Sequence, residues 1–293
     1  MKRIALKIDV DTFHGTLTGV PALVELLQKH DASASFFFSL GPDHSGREAR
    51  SGSLSPYYGR STRLYGRLLP SPNIGIRGAE TMRLAQSAGC EVGIHAWDRA
   101  VWERNIQRAE NPWVEAEMRK ACARFTEVFP ETSTAAHAAA GWRMNRHALR
   151  LTQRLGFSYA SDCRGSHPFI PVIDGEIVAC PQLPTTLPTL DEILALEPGL
   201  SPEQATDRIL QLSSAIAGDH VFTLRAELEG IRFGGAIEHL LSGWKSRDFS
   251  LVALRDIRAS LELKTLPRHA VYFAEIPGRA GLRMTQGAAF PIE

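Results

Sequence analysis

The sequence of 293 residues has few cysteines and no long apolar run. Its four cysteines form no Cys-x-x-Cys pair, which argues against a zinc ribbon or a thioredoxin-like site. So few cysteines in a chain of this length are typical of reduced thiols in a cytosolic protein. No apolar stretch approaches the ~20 residues of a membrane-spanning helix, and the basic start lacks the apolar core of a signal peptide. We therefore expect a protein that is cytoplasmic or at most peripheral at a membrane.

The chain also lacks an excess of either charge and a glycine motif for dinucleotides. Its formal net charge is +1, whereas a nucleic-acid-binding protein usually carries a strong basic excess. No Gly-x-Gly-x-x-Gly follows the first predicted strand, which removes the main support for a dinucleotide-binding fold. With 44% hydrophobic residues the chain can bury a large core, and its length is ordinary for a barrel domain.

Strand-like and helix-like segments alternate over most of the chain. Strands are predicted at residues 4–10, 35–40, 91–95, 134–139, 158–161, 177–180, 220–224 and 251–254. Helices are predicted at residues 20–30, 80–88, 112–129, 146–155, 202–217 and 236–244. This alternation predicts an α/β fold with a parallel sheet, and both an open doubly wound sheet and a closed barrel fit it.

Two segments interrupt the pattern within what we predict to be a single domain, residues 1–293. An insertion is predicted at about residues 42–78. Its stretch from residue 47 to residue 77 contains six arginines and three tyrosines, and Glu48 is the only acid in that stretch. Arginine with tyrosine suits a phosphate group or an anionic membrane surface. Residues 47–77 are therefore expected either to contact a membrane peripherally or to form a solvated insertion without a binding role. Residues from about 265 to 293 show no periodicity, and we expect an irregular extension there.

Ionisable residues stand where predicted strands end. They are Asp9, Asp11, His95, His137, Asp162 and Arg225, with Trp97, Arg143 and Arg164 close behind. The carboxyl ends of parallel strands share one edge of the sheet, so these residues predict a polar active site there. Asp9 and Asp11 are two residues apart and point the same way on a strand, so a proton or a cation must relieve their repulsion. One can bind a metal while the other activates a metal-bound water, although aspartate also commonly just ends a strand.

Several longer motifs resemble those of the polysaccharide-deacetylase (NodB-homology) family, and within it members that deformylate a lipid-linked formamido sugar. The matching segments are KIDVDTFHGT, FFFSLGPD, EVGIHAWD, AAAGWR, SDCRG, PQLPTTLPTLDE and RAELEG, which together run from residue 1 to about residue 230. The resemblance implies a distorted (β/α)7-type barrel that removes an N-formyl or N-acetyl group from an amino sugar. The sugar is expected on a phosphoprenyl carrier, with a soluble nucleotide sugar as the alternative.

The resemblance also assigns roles to residues of the polar edge. It implies Asp9 as general base, with Asp11 and His95 as ligands of a divalent metal (Zn, Co, Mn or Ni). Asp162 is expected to orient the base, and the backbone N–H near Ala140 to help hold the oxyanion. The residues expected to contact substrate are Arg99, Trp97, Arg143, Arg164 and Ala140.

The sequence departs from the family pattern at two positions. Arg99 stands where the second histidine of the metal motif is expected, and Arg225 stands where the late catalytic histidine is expected. Arginine neither binds a metal nor releases its proton near neutral pH. We hypothesise that His137 faces the same site and replaces a lost imidazole, as ligand or as acid.

Three functions remain open from the sequence. The first is an active deformylase or deacetylase in which Arg99 and Arg225 bind anionic parts of the substrate or stabilise the oxyanion. The second is a catalytically impaired member that binds a phospho-linked sugar through the same two arginines. The third is a barrel enzyme of unrelated chemistry that uses the arginines for phosphate.

Overall fold

The computed structural model describes residues 2–48, 57–132 and 135–291. Its strands are β1 (Lys2–Val10), β2 (Ser35–Ser39), β3 (Glu91–Ala96), β4 (Ile170–Ile173), β5 (Glu176–Ile177), β6 (His220–Arg225), β7 (Phe249–Val252), β8 (Arg268–Ile276) and β9 (Arg279–Ala289). Its helices are α1 (Val20–Lys29), α2 (Ile74–Arg77), α3 (Ala79–Ser87), α4 (Arg99–Asn105), α5 (Asn111–Val128), α6 (Arg146–Arg154), α7 (Leu190–Leu196), α8 (Pro202–Ala215), α9 (Gly234–Lys245) and α10 (Leu254–Ala259). None of the described helices is both long and apolar enough to cross a membrane.

Strand β1 lies at the centre of a parallel sheet. It pairs with β2 along residues 7–10, with β7 along residues 2–5 and with β6 along residues 4–9, and β3 continues the sheet beyond β2. Residues 4–10 are all buried, as expected for a strand covered on both faces. The predicted α/β class with a parallel central sheet is therefore confirmed.

Irregular segments extend this sheet from β3 back towards β6. Single parallel bridges join Ile94 to His137, His137 to Ala160 and Ala160 to Gln182. The Thr186 N–H then donates to a carbonyl of β6, that of Val221, at 3.0 Å. In the described chain the predicted strands at 134–139 and 158–161 are thus single bridges rather than ladders, and Thr134 lies outside the described residues. The predicted strand at 177–180 is also displaced, since β5 is a two-residue strand that ends at Ile177.

Helix boundaries follow local sequence signals. Ser201 caps α8, because its Oγ accepts from the Gln204 N–H at 3.2 Å while the Gln204 side chain accepts from the Ser201 N–H. Pro202 occupies the first turn, where its missing N–H has no intrahelical partner to lose. Glu110 holds the cap position of α5, directly before Asn111.

The expectation of an irregular C-terminal extension was wrong. Strands β8 and β9 form an antiparallel hairpin, and β8 pairs in parallel with β4. The turn between them is Pro277-Gly278, where Gly278 has φ +78°. Proline followed by a glycine at positive φ is the signature of a type II turn. This hairpin matters for function because its turn and the start of β9 reach the cavity described next.

Candidate active site

A cavity of about 470 Å³ opens at the carboxyl ends of β1, β3 and β6. It is bordered by Asp9, Asp11, Arg47, Glu48, His95, Arg99, Ala100, Glu103, Arg104, Gly141, Arg143, Arg225, Gly278, Arg279, Ala280 and Arg283. Seven of these residues are arginines and four are carboxylates. The cavity is therefore a strongly charged site with an excess of fixed positive charge.

Asp9 is held in the cavity wall by a residue that the sequence prediction missed. Its register places it directly between Phe37 of β2 and Arg225 of β6. Lys7 lies two residues earlier on the same side of β1, and its Nζ is 3.2 Å from Asp9 Oδ1 and 3.3 Å from Oδ2. Burial lowers the pKa of Lys7, against the opposing effect of Asp9, and the Nζ also lies 5.2 Å from the centre of the Trp142 ring. The sequence did contain a signal for this ion pair, because Lys7 and Asp9 are two residues apart and side chains at that spacing share one face of a strand.

Asp11 and His95 meet as the sequence predicts. His95 Nε2 is 3.0 Å from Asp11 Oδ1, and His95 Nδ1 is 2.7 Å from the carbonyl oxygen of Ala138 and 3.7 Å from Asp9 Oδ1. Burial opposes the charge of His95, but Asp9 and Asp11 outweigh it and raise the His95 pKa. Burial likewise opposes ionisation of Asp11, yet Arg99, His95 and Arg225 hold its pKa well below the usual range.

Arg99 and Arg225 flank Asp11 from two sides. Arg99 Nε lies 3.8 Å from Asp11 Oδ1, and Arg225 Nε lies 3.9 Å from Oδ2. Arg99 also pairs with Glu48 and, at 3.0 Å, with Glu103. The two departures from the family pattern are thus both in the site, as fixed cations against the same carboxylate.

A second layer of ion pairs behind the cavity was not predicted. Asp191 Oδ2 is 2.9 Å from Arg225 Nη1 and 2.8 Å from Arg279 Nη2, and Arg279 Nε is 2.8 Å from Glu192 Oε1. Burial opposes ionisation of Asp191, but Arg225 and Arg279 hold its pKa well below the usual range. Glu192 also binds Arg164 at 2.8 Å, so Arg164 lies behind the cavity rather than in its lining. The motif PTLDE contained both acids, but their partner Arg279 lies on the hairpin that the sequence did not reveal.

His137 does not face the cavity, contrary to the expectation from sequence. Its Nδ1 is 2.7 Å from Asp162 Oδ1 and its ring stacks on Phe157 at 5.1 Å between centroids. His137 and Trp97 instead border a separate small pocket behind β3. Asp162 is fully buried, accepts from the Ala139 N–H at 2.8 Å and acts on Lys7 through its charge.

The turn after Ala139 brings backbone to the cavity. Residues Ala140–Trp142 form a 3-10 turn in which Gly141 has φ +58° and Trp142 has φ +54°. Gly141 borders the cavity, and Arg143 follows it into the lining. Ala140 itself is buried directly beside Gly141, which is compatible with the predicted oxyanion role of its N–H.

The parallel α/β sheet thus carries two aspartates and a histidine at its carboxyl edge, as many hydrolases of α/β fold do, and comparison with known proteins identifies the family. The family model described as polysaccharide deacetylase matches residues 2–160, and the chain belongs to that family. A probable 4-deoxy-4-formamido-L-arabinose-phosphoundecaprenol deformylase from Shewanella sediminis is 34% identical over 292 residues, covering 95% of this chain and 93% of the relative. A relative of the same name from Wigglesworthia glossinidia brevipalpis is 30% identical, covering 91% and 96%.

Solved structures support the same fold. A protein assigned to the polysaccharide deacetylases from Mycobacterium smegmatis superposes with a TM-score of 0.64 at 17% identity, covering 94% of this chain and 96% of the other. A probable polysaccharide deacetylase from Pseudomonas aeruginosa PAO1 gives a TM-score of 0.61 at 16% identity, with 88% and 90% covered.

Polysaccharide deacetylases are generally metalloenzymes, but the side chains that the structure describes around Asp11 do not form a set of donors for a divalent metal. Asp9 Oδ1 is a buried oxygen that accepts no hydrogen bond, which by itself would suit a cation, whereas Asp11 Oδ1 has His95 Nε2 at 3.0 Å. Asp11, however, already faces two guanidinium groups, and Asp11 and His95 offer only two donors in contact. Within residues 2–48, 57–132 and 135–291, no group of three or more His, Cys, Asp or Glu side chains is arranged to hold a metal ion. The positive charge next to Asp11 comes from arginine.

Proposed function

We propose that this chain hydrolyses the N-formyl or N-acetyl group of an amino sugar in the cavity around Asp9. The observation that carries the proposal is the state of Asp9: a buried carboxylate at the cavity, with Lys7 as counter-ion and an Oδ1 that accepts no hydrogen bond. Such an oxygen is available to take a proton from water. The deformylase names of both curated relatives support a formyl group on a lipid-linked formamido sugar.

The proposed reaction uses Asp9 twice. Asp9 takes a proton from a water molecule while the oxygen of that water attacks the amide carbonyl carbon. The C–N bond then breaks, and the same carboxyl returns the proton to the leaving nitrogen, giving formate or acetate and a free amine. Arg99 and Arg225 are fixed charges that favour the developing oxyanion, with the N–H of Ala140 as a further donor. Asp162 acts indirectly, through its charge on Lys7.

A direct assay tests this function. The full chain is incubated with an N-formylated amino sugar, and formate is measured by NMR. Asp9→Asn should lower the rate by about 10²–10⁴-fold, because an amide cannot act as the base. Asp207→Asn, an exposed aspartate on α8, is the matched control and should keep the rate. An unmodified chain that leaves formamido and acetamido sugars intact would overturn the proposal and favour the binding-only alternative.

Chelation separates this proposal from the metal-dependent chemistry of the family. Because arginines supply the positive charge beside Asp11, we expect the rate to survive dialysis against a strong chelator. Loss of activity on dialysis, with recovery on adding Zn, Co, Mn or Ni, would contradict this expectation. It would instead show that Asp11 and His95 take a metal in spite of the flanking cations.

The lipid-linked form of the substrate is the finer part of the proposal. In the described part of the insertion, Leu68 is 74% exposed and Leu69 is 40% exposed, next to the exposed Arg67. Exposed leucines beside arginine suit the surface of an anionic membrane, where single contacts are weak and reversible. Arg50 belongs to the same predicted segment but lies outside the described residues.

A further inference from the structure

Arg283 is a buried cation at the cavity that lacks a carboxylate partner. It lies on β9, is 5% exposed and borders the cavity. Its Nη1 donates to the carbonyl oxygen of its neighbour Leu282 at 3.1 Å, and its Nε has no hydrogen-bond partner. No carboxylate of the described chain lies within 4.0 Å of it. A buried guanidinium in this state is costly unless an anion completes its contacts.

A second guanidinium, that of Arg143, lies beside it. Gly281 has φ +83°, and a Cβ there would meet Arg143 Nη2 at 3.1 Å and Arg283 Nη1 at 3.6 Å, so both groups border one small space. Arg143 donates mainly to carbonyl oxygens, those of Glu103 at 2.8 Å and Ala280 at 3.2 Å. The nearest carboxylate oxygen to Arg143 Nε is Glu103 Oε2, at 3.9 Å.

The two like charges act on each other. Burial lowers the pKa of Arg283 to about 10, and Arg143 is the next largest cause of that shift. The other buried arginines of the cavity are different, because Arg99, Arg225 and Arg279 each bind a carboxylate. Arg47 and Arg104 also border the cavity but are exposed, so among its less exposed arginines the Arg143–Arg283 pair has positive charge left for a ligand.

We propose that Arg143 and Arg283 form a subsite for a phosphate ester of the substrate. This inference rests on the proposed function, since it places the phosphate of a sugar phosphate in the cavity that holds Asp9. Two guanidinium groups that approach from different directions suit a tetrahedral anion with several acceptor oxygens, whereas a planar carboxylate is satisfied by one arginine fork. Because Gly281 has no side chain, the space between the two guanidinium groups stays open.

Binding of simple phosphates tests the subsite. Inorganic phosphate and a hexose 1-phosphate are titrated calorimetrically into the full chain and into Arg283→Gln, with the neutral methyl hexoside as reference ligand. We expect both phosphates to bind the unmodified chain, and Arg283→Gln to weaken them about tenfold to hundredfold, as for loss of one charged hydrogen-bonding group. Arg108→Gln, an exposed arginine outside the cavity, is the matched control and should bind like the unmodified chain. Equal affinity of Arg283→Gln and the unmodified chain, or no phosphate binding at all, would overturn the subsite.

Three substrates distinguish the origin of the phosphate and separate this proposal from the hydrolytic one. They are an N-formylated amino sugar as neutral glycoside, as soluble 1-phosphate and as phosphoprenyl ester in detergent micelles. A KM advantage of both phosphates over the glycoside, lost in Arg283→Gln, supports the subsite, and an advantage confined to the micellar ester assigns it to lipid-linked phosphate. Turnover of all three forms with equal KM would refute the subsite while leaving the hydrolase standing. Phosphate binding that depends on Arg283 without any turnover would refute the hydrolase alone.

Discussion

Two sets of arginines border one cavity and differ in how their charge is balanced. The carboxylate-bound arginines, Arg99, Arg225 and Arg279, each lie within 3.0 Å of an acid. The Arg143–Arg283 pair has no acid that close among the described residues. The first set is locked into the protein, whereas the second is completed only by something that enters the cavity.

The difference shows that a count of positive charges does not locate a ligand. Arg99 and Arg225 stand at the two positions where the family pattern has histidines, and the sequence alone favoured them as the anion site. In the structure their charge is largely balanced by Glu48, Glu103 and Asp191. Proteins retain an unbalanced buried charge at a cost in stability, which is typical of functional sites.

The largest expected effect is on the free energy of unfolding, which should fall when an arginine of the first set is replaced and should not fall when Arg283 is replaced. Arg99→Ala leaves Glu48, Glu103 and Asp11 without their shared cation and should lower the free energy of unfolding by about 3–5 kcal/mol. Arg283→Met removes a cation that has no acid partner and fills similar volume, so it should leave that free energy unchanged or raise it. Urea unfolding of both variants measures the contrast.

Arg104→Ala is the control for this pair, because Arg104 is exposed and lies on the same helix as Arg99. Its effect should stay within about 0.5 kcal/mol, as for most surface changes. If Arg283→Met were as destabilising as Arg99→Ala, Arg283 would have a structural role and the comparison between the two sets would fail.

The parallel half of the fold was predictable from the sequence. Strands β1, β2 and β3 were located within two residues, because fully buried parallel strands are continuous apolar runs with polar ends. The same property placed Asp9, Asp11 and His95 together, since parallel strands share one carboxyl edge.

The rest of the site depends on long-range contacts that have no local signal. Arg283 becomes a cavity residue only because the β8–β9 hairpin folds back over the turn that ends at Arg143. The Pro277-Gly278 sequence does indicate a turn between two strands, but the local sequence does not indicate where the resulting hairpin packs. The prediction for His137 failed for a similar reason: the residue does lie beside β3, through a bridge to Ile94, but its side chain points to Phe157 behind the sheet.

The pH dependence of stability should reveal a second contrast, between two acids at Arg225. Asp191 binds the guanidinium, whereas Glu229 Oε2 accepts from the backbone N–H of Arg225, at 2.6 Å. Burial raises the pKa of Glu229 to about 8, from an ordinary value of 4.5. A raised folded-state pKa contributes stability that is fully present below the unfolded value and is lost as the pH rises through about 8. Glu229→Gln should therefore lose less stability than the unmodified chain between pH 5 and pH 9.

Urea unfolding at several pH values checks this expectation, with Glu262→Gln as an exposed control. The pKa of Glu227 is also raised to about 8 by burial. Glu229→Gln should therefore remove only part of the slope of the unfolding free energy against pH. A slope identical to that of the unmodified chain would mean that Glu229 is ionised at neutral pH, and that the charge of Arg225 is shared between two acids.

The smallest expected effect is on membrane binding by the insertion, which would bring a lipid-linked substrate close to the Arg143–Arg283 pair. Arg67 and Leu68 are both exposed, so we expect binding to anionic vesicles at low salt and release at about 1 M salt, where the screening length falls to about 3 Å. Leu68→Ser removes part of the apolar contact and should weaken vesicle binding by about 1 kcal/mol, roughly fivefold, in a sedimentation assay. Leu196→Ser alters a leucine that is 52% exposed on α7 and should not change it. No binding to anionic vesicles at low salt would remove the membrane from the proposal, and the Arg143–Arg283 pair would then serve a soluble sugar phosphate.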